Sequence, residues 1–340
     1  MVEVKATYNG TDETNQNNGT ETHTETSSTS LTEYEILSLV ILLLETIIGT
    51  FMNGLMVIVN LISLVTHRKL GSCDSILTCL GLSRFSFMWL ILAIYFIDYV
   101  APNIADKCSD LQYVLLFFNS LSLWLATWLS TFYCVRLVNI ERYIFTAFKT
   151  HFDRLVPFLI LASISISLSC SNSEIYSTIN QTFNMSKFEK SRNETPFGAM
   201  TNNFATYSTV SAVGSVPPFL VFCLSAGLVV NSLLGHMKKM NAQERTGFRE
   251  PSLHAHWRAI KMMAAFFMFF FFYMMAFNLY GSGKLKDGIE SCMAALFIGA
   301  YPSVHSVLLV TGNHKLKHAL LQILRKGNCY QKEMIQTISD

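Results

Sequence analysis

Arg84 is the residue with the most chemistry to explain. It stands within a largely apolar run that extends from Ser75 to Val100. A guanidinium carries five N–H donors and a charge it does not shed. Inside a bilayer it costs several kcal/mol unless it is paired, hydrated or shared among polar neighbours. One reading puts Arg84 at a membrane boundary. The other makes it a buried polar hub shared with Asn53 of the first span and with polar groups of the seventh, and the apolar residues flanking it for a full span favour this reading. Glu45 is a second deep charge, without a partner that the sequence names. Asp98 reads as interfacial.

Other chemistry is hard to find. The eight cysteines, at 73, 79, 108, 134, 170, 223, 292 and 329, form no Cys-x-x-Cys pair, which argues against zinc ribbons and thioredoxin-like sites. No phosphate loop, dinucleotide fingerprint, His-Glu-x-x-His or Gly-x-Ser-x-Gly is present. The nine histidines are dispersed. No metal site, cofactor or catalytic set is expected, and an enzyme is the weakest reading.

The elements that must position Arg84 follow from composition. The chain has 340 residues, 51% of them hydrophobic and only 14% charged. Its mean hydropathy is +0.35. A bilayer is crossed by roughly 20 apolar residues of helix. Such runs lie at Ile36–Leu64, Ser75–Val100, Leu111–Leu137, Leu155–Ser171, Ser211–Gly235, Ala259–Tyr280 and Gly288–Thr311. Lipid offers an open backbone no hydrogen-bond partner, so the runs must be helices. The expected fold is all-α: a bundle of seven transmembrane helices.

Two signals give sidedness. One set of loops carries most of the Lys and Arg, including Arg68, Lys69, Arg136, Arg142, Lys149, Arg154, Lys238, Lys239, Arg245, Arg258, Lys261, Lys315 and Lys317. The basic side is expected to be cytoplasmic. The glycosylation acceptors Asn9, Asn18, Asn180, Asn184 and Asn193 all fall on the opposite side. The N-terminus is then extracellular and the C-terminus cytoplasmic, in the plasma membrane. Residues 1–33 are rich in Thr, Asn, Glu and Ser and read as a disordered extracellular tail. No signal peptide is evident, and the first span is expected to serve as its own insertion signal. Residues 34–313 form the seven-transmembrane domain. Residues 314–340 form a cytoplasmic tail that begins with a short basic amphipathic helix suited to the inner leaflet. Pro218 and Pro302 interrupt spans five and seven, where proline removes a helical hydrogen bond and permits a kink.

These residues resemble the bitter-taste receptors, the type 2 taste receptor family. Span one carries Gly49-x-x-x-Asn53 and Asn60. The next segment reads Arg68-Lys-Leu, then Asp74-Ser-Ile-Leu-Thr-Cys-Leu-Gly-Leu-Ser83-Arg84, then Trp89. Span three gives Trp124-Leu-Ala-Thr-Trp-Leu-Ser-Thr-Phe132-Tyr133. Span seven ends in Tyr301-Pro-Ser-Val-His305-Ser306, followed by Gly312-Asn-His-Lys315-Leu-Lys317. The matches run in register from about residue 45 to 318, and the region between spans four and five matches poorly. Glu141-Arg142-Tyr143 looks like the acidic-Arg-Tyr motif of rhodopsin-like receptors. It lies about nine residues too late, and reads as ordinary loop charge.

The resemblance implies a G-protein-coupled receptor for small bitter compounds. The implied ligand cleft, open to the outside, involves Tyr95, Leu115, Asn119, Tyr273, Phe277, Ala295 and Ile298. Leu115 and Ala295 replace an aromatic and an acidic residue found in some members, which leaves the cleft less suited to cationic alkaloids. Asn53, Arg84, Trp89, Pro218, Tyr273, Pro302 and His305 are candidates for holding or switching the bundle. Arg136, His236, Lys238, Lys239, His256, Arg258 and Lys261 are candidates for contacting a heterotrimeric G protein of the gustducin or inhibitory type. Cys108 and Cys170 either pair in the oxidising exterior or remain two free thiols. Expected partners are bitter small molecules, the G protein and the lipid bilayer, with no nucleic acid. The rival readings are a vomeronasal type 1-like pheromone receptor and a small transporter.

Overall fold

The computed structural model describes residues 3–7, 26–30, 33–100, 110–138, 143–172, 197–244, 252–281 and 288–325. Seven long helices dominate: α1 (Glu33–His67), α2 (Ser72–Val100), α3 (Asp110–Leu137), α4 (Tyr143–Cys170), α5 (Phe197–Glu244), α6 (Ser252–Gly281) and α7 (Gly288–Gly312). Each holds a stretch long and apolar enough to cross a membrane. A short helix α8 (314–325) follows the seventh. Before α1 in the chain, β1 (Glu3–Thr7) pairs antiparallel with β2 (Thr26–Ser30), from Glu3 opposite Ser30 to Thr7 opposite Thr26. This ribbon lies in the tail read as disordered.

The helices overrun the sequence-derived spans. α4 starts at Tyr143 rather than Leu155, and α5 covers Phe197–Glu244 rather than Ser211–Gly235. The apolar window marks only the part that matches the bilayer. A helix continues past it wherever polar residues keep the backbone bonded. α1 ends at His67, where Arg68 turns into the left-handed region at φ 54°. That is a common way for a helix to stop.

Helices adjacent in sequence pack side by side, and α1 closes the ring on α7, while α3 also reaches α5. α3 and α7 are the interior staves, with 67% of their span windows buried, against 22% for α1 and α4. Val65, Phe158 and Leu224 are 81%, 69% and 70% exposed. In water such residues would be a liability; against lipid tails they are at home.

Proline is carried without ending a helix. α5 runs through Pro217 and Pro218, α7 through Pro302 and α4 through Pro157. A proline at position i cannot donate to the carbonyl at i−4, so another donor must serve it. Ser120 Oγ of α3 lies 3.5 Å from Gly214 O, the carbonyl that Pro218 cannot serve. Thr127 Oγ1 donates to Pro218 O at 2.9 Å, and Thr131 Oγ1 meets Ser225 Oγ at 3.1 Å. A ladder of α3 hydroxyls thus stitches α5 in place. Asn313 ends α7 and caps α8, its Oδ1 accepting from the amides of Lys315 (3.0 Å) and Leu316 (3.3 Å).

Close approach of α1 and α2 depends on Gly81. A Cβ there would meet Val57 Cγ2 at 2.9 Å and Asn53 O at 3.2 Å, whereas one at Gly54 or Gly227 would meet nothing within 4 Å. Gly81→Ala is therefore expected to destabilise the purified protein by about 1–3 kcal/mol, the usual cost of overpacking. Gly54→Ala and Gly227→Ala should melt like the parent in a thermal-shift assay.

Candidate functional site

Arg84 lies in the middle of α2, fully buried. Its side chain reaches two other helices. Nε donates to Ser122 Oγ of α3 at 3.4 Å. Nη1 donates to Ser306 Oγ at 3.4 Å, and Nη2 to Tyr301 OH at 3.3 Å and to His305 Nδ1, all three on α7. Arginine only donates, so His305 Nδ1 accepts and the ring proton sits on Nε2. The guanidinium carbon is 5.2 Å from the centre of the Tyr301 ring. Ser306 shares its one proton between Asn53 Oδ1 (2.8 Å) and Pro302 O (2.7 Å), and Asn53 Nδ2 donates to Gly49 O at 2.8 Å. Four helices, α1, α2, α3 and α7, thus meet at one charge.

No described carboxylate lies within 4.0 Å of that charge. Glu45 of α1, the other deep charge, packs on Gly299 of α7 instead. Its Oε2 is buried without a hydrogen-bond partner, and a Cβ at Gly299 would come within 2.9 Å of its Cδ. Ser303 of α7 donates to the Glu45 backbone carbonyl at 2.9 Å and Ser38 Oγ meets Ser291 Oγ at 2.7 Å, so with Asn53–Ser306 the α1–α7 seam is bonded at three depths.

The residues implied for a ligand cleft sit between this network and the end of the bundle that bears the N-terminus. Tyr95, Leu115, Tyr273, Phe277, Ala295 and Ile298 belong to one buried cluster. Asn119 stands beside it, its Oδ1 accepting from Tyr273 OH across α3 and α6. All seven are 0–4% exposed. They pack on one another and on Phe87, shut off from solvent, rather than lining an open cleft. Tyr273 stacks on Phe277 (ring centres 5.7 Å apart) and on Tyr301 (4.8 Å). Since Tyr301 also accepts from Arg84, a continuous line runs from Asn119 through Tyr273 and Tyr301 to the guanidinium. Nearer the N-terminal end, Tyr95 stacks on Tyr280 at 4.5 Å, and Tyr280 OH donates to Asp98 at 3.3 Å.

At the opposite end, which bears α8, a pocket of about 540 Å³, counting its open mouth, lies between α3, α5, α6 and α7. Ser130, Tyr133, Phe222, Met263, Phe266 and His305 are among its walls. Arg136, His236, Lys238 and Lys261 are exposed near this end. Arg136 forms a 2.8 Å ion pair with Asp153 and lies over the Phe132 ring. Both partners are more than half exposed, so the pair contributes little stability. Lys315 of α8 bonds both Asn60 Oδ1 and Asp74 Oδ2 at 3.0 Å, tying α8 to the facing ends of α1 and α2.

Not every expected residue joins these groups. Trp89 is 47% exposed on the lipid side of α2, packed on Phe85. Pro218 is buried against α3, and Pro302 lies directly beneath the Arg84 network through its bond to Ser306. Cys170 is a free thiol. Cys108 and the acceptors Asn9, Asn18, Asn180, Asn184 and Asn193 lie outside the described residues, as do the side chains of Lys239, His256 and Arg258, although these three positions fall within α5 and α6. The described residues contain no group of three or more His, Cys, Asp or Glu placed to hold a metal. Sequence reasoning expected polar groups of span seven at Arg84 without assigning Tyr301 or Ser306 to it, and gave no role to Ser122. The 301/305 and 302/306 spacing, one helical turn each, was the available signal that one face of α7 carries them.

Comparison with known proteins gives a consistent result. The model of the taste receptor protein (TAS2R) family matches residues 31–328. Taste receptor type 2 member 1 of Pongo pygmaeus is 32% identical over 310 residues, covering 88% of this chain and all of that protein. Taste receptor type 2 member 119 of Mus musculus is 32% identical over 283 residues, covering 82% of each.

The Asn53–Ser306 bond gives a direct test of the network. Either alanine substitution should cost about 1–3 kcal/mol, the price of an unpaired buried polar group. The double variant should cost less than the sum, with a coupling of at least about 0.5 kcal/mol. Thermal unfolding of the purified variants measures it, and strict additivity would show that the two side chains do not depend on each other.

Proposed function

We propose that this chain, which belongs to the TAS2R taste receptor family, is a G-protein-coupled receptor for small bitter compounds, coupled to a heterotrimeric G protein of the gustducin or inhibitory type. The family and the seven-helix fold support a multi-pass membrane receptor rather than an enzyme. The N-terminal end of the bundle is taken as extracellular and the α8 end as cytoplasmic, in the plasma membrane. The skew of Lys and Arg toward the α8 end and the glycosylation acceptors on the other side support this orientation.

The observation that carries the reading is the Asn119–Tyr273 bond. It joins α3 to α6 at the buried cluster that holds the other implied residues, Asn119 standing beside it. A molecule wedged between Tyr95, Leu115, Phe277, Ala295 and Ile298 competes with ring packing and with that bond. It thereby favours one arrangement of α3, α6 and α7 over another. A ligand shifts such an equilibrium only by its difference in affinity for the two states. The cluster is closed in this structure, so entry requires the rings to part. At the α8 end, the pocket between α3, α5, α6 and α7, with Arg136, His236, Lys238 and Lys261 near it, is the surface proposed to meet the G protein. Lys239, His256 and Arg258 extend the proposal along α5 and α6. The apolar walls around Ala295 favour neutral ligands over cationic ones.

Calcium imaging tests this in cells that co-express the chain with a gustducin-type chimeric Gα, screened against a panel of bitter compounds. A compound-dependent response is expected. Asn119→Ala and Tyr273→Phe, at matched surface expression, should abolish it or raise the half-maximal concentration about tenfold, the worth of one buried hydrogen bond. A receptor that reaches the surface and answers no compound would move the ligand class toward a pheromone-like molecule.

A further inference from the structure

We infer that the Arg84 network is a binding site for a small monovalent anion, chloride by size and charge, reached through the pocket at the α8 end. The first observation is the charge itself. Arg84 is fully buried, and every partner it has among the described residues is neutral: Ser122, Tyr301, His305 and Ser306. Neutral acceptors satisfy hydrogen bonds but leave the charge without a counter-charge in a medium of low dielectric. The carboxyl groups of the four helices that meet there lie elsewhere. Glu33, Glu35, Asp98, Asp110 and Glu290 sit in the end turns of their helices. Asp74 pairs with Lys315, and Glu45 lies on Gly299.

The second observation is the balance of donors. A guanidinium has five N–H groups. The bonds to Ser122, Ser306, Tyr301 and His305 use four of these, which leaves one Nη1–H unused among the described residues. Ser122 and Tyr301 accept from Arg84 with their oxygens, so each keeps its own proton to give. A cluster with a spare N–H, two spare O–H groups and a net positive charge matches an acceptor that brings no proton. A halide is such an acceptor. A dianion would leave a surplus of negative charge in the same buried place.

The third observation is a route. His305 is a partner of Arg84 and also a wall of the open-mouthed pocket between α3, α5, α6 and α7. An ion entering from the α8 end therefore reaches a direct partner of Arg84, past the Phe266 ring that packs on His305.

Ionic exchange on the full-length protein tests this, purified into nanodiscs of phosphatidylcholine, which carries no net charge. Melting temperature is read at equal ionic strength in sodium chloride, sodium bromide and sodium gluconate. Chloride and bromide are expected to raise Tm over gluconate by about 2–4 °C, as a ligand at several times its Kd would. Ser122→Ala and Tyr301→Phe keep the arginine and remove one hydroxyl each, and should lose at least half of the shift. Arg84→Met should lose all of it, but that variant is at risk of not assembling, so the ion exchange on the parent protein decides. Equal melting in chloride and gluconate would overturn the assignment. So would a halide shift that survives undiminished in both hydroxyl variants. The readout needs no agonist, and its result is separate from that of the taste-compound screen.

Discussion

The interior of a bilayer has no water to offer an amide, a hydroxyl or a guanidinium, and each polar group there must find its partner in the protein. Arg84 is where that constraint bites hardest. It cannot give up its charge, so α3 and α7 must bring it acceptors at fixed positions along their lengths. Ser122 sets the register of α3 against α2. Tyr301, His305 and Ser306 set that of α7, and Asn53 extends the same contact to α1. Packing without a hydrophobic drive between helices is permissive. Directional bonds to a single buried cation are not.

Some of this was legible in the sequence and some was not, for physical reasons. The seven spans were plain because an apolar run of sufficient length has one stable place to be. Helix ends were not, because α4 and α5 continue beyond the apolar window on polar residues that no hydropathy pattern marks. Arg84 and Asn53 stood out because a charge and an amide inside apolar runs demand an explanation. Ser122, Tyr301 and Ser306 did not, since serine and tyrosine are ordinary in membrane helices and composition does not fix the rotation of a helix about its axis. Trp89 shows the same limit from the other side. A motif position reads as important, but the rotation of α2 turns it to lipid. The residues proposed for ligand contact come from resemblance alone. That they pack into a closed cluster depends on ring geometry that the sequence does not encode in any local pattern.

The prolines follow the same rule. Pro218 leaves the Gly214 carbonyl without its helical donor, and Ser120 of α3 lies nearest to it. The neighbouring bonds from Thr127 and Thr131 make α3 a partner of α5 along three successive turns. α3 is therefore held on one side by Arg84 and on the other by α5, while its Asn119 reaches α6. Like α7, it touches the polar network, the aromatic cluster and the α8-end pocket alike.

The uneven burial of the helices carries a consequence for sequence drift. On α1 and α4 most of the surface meets lipid, and lipid does not distinguish Leu from Ile, Val or Phe. Changes there leave the contacts of the bundle as they were. On α3 and α7, two thirds of each span window is enclosed, and a change of one methyl group is felt by a neighbour. A lineage that diverges to about a third identity can therefore spread its differences along the outer staves and the loops. The interior staves are obliged to change slowly, or in pairs.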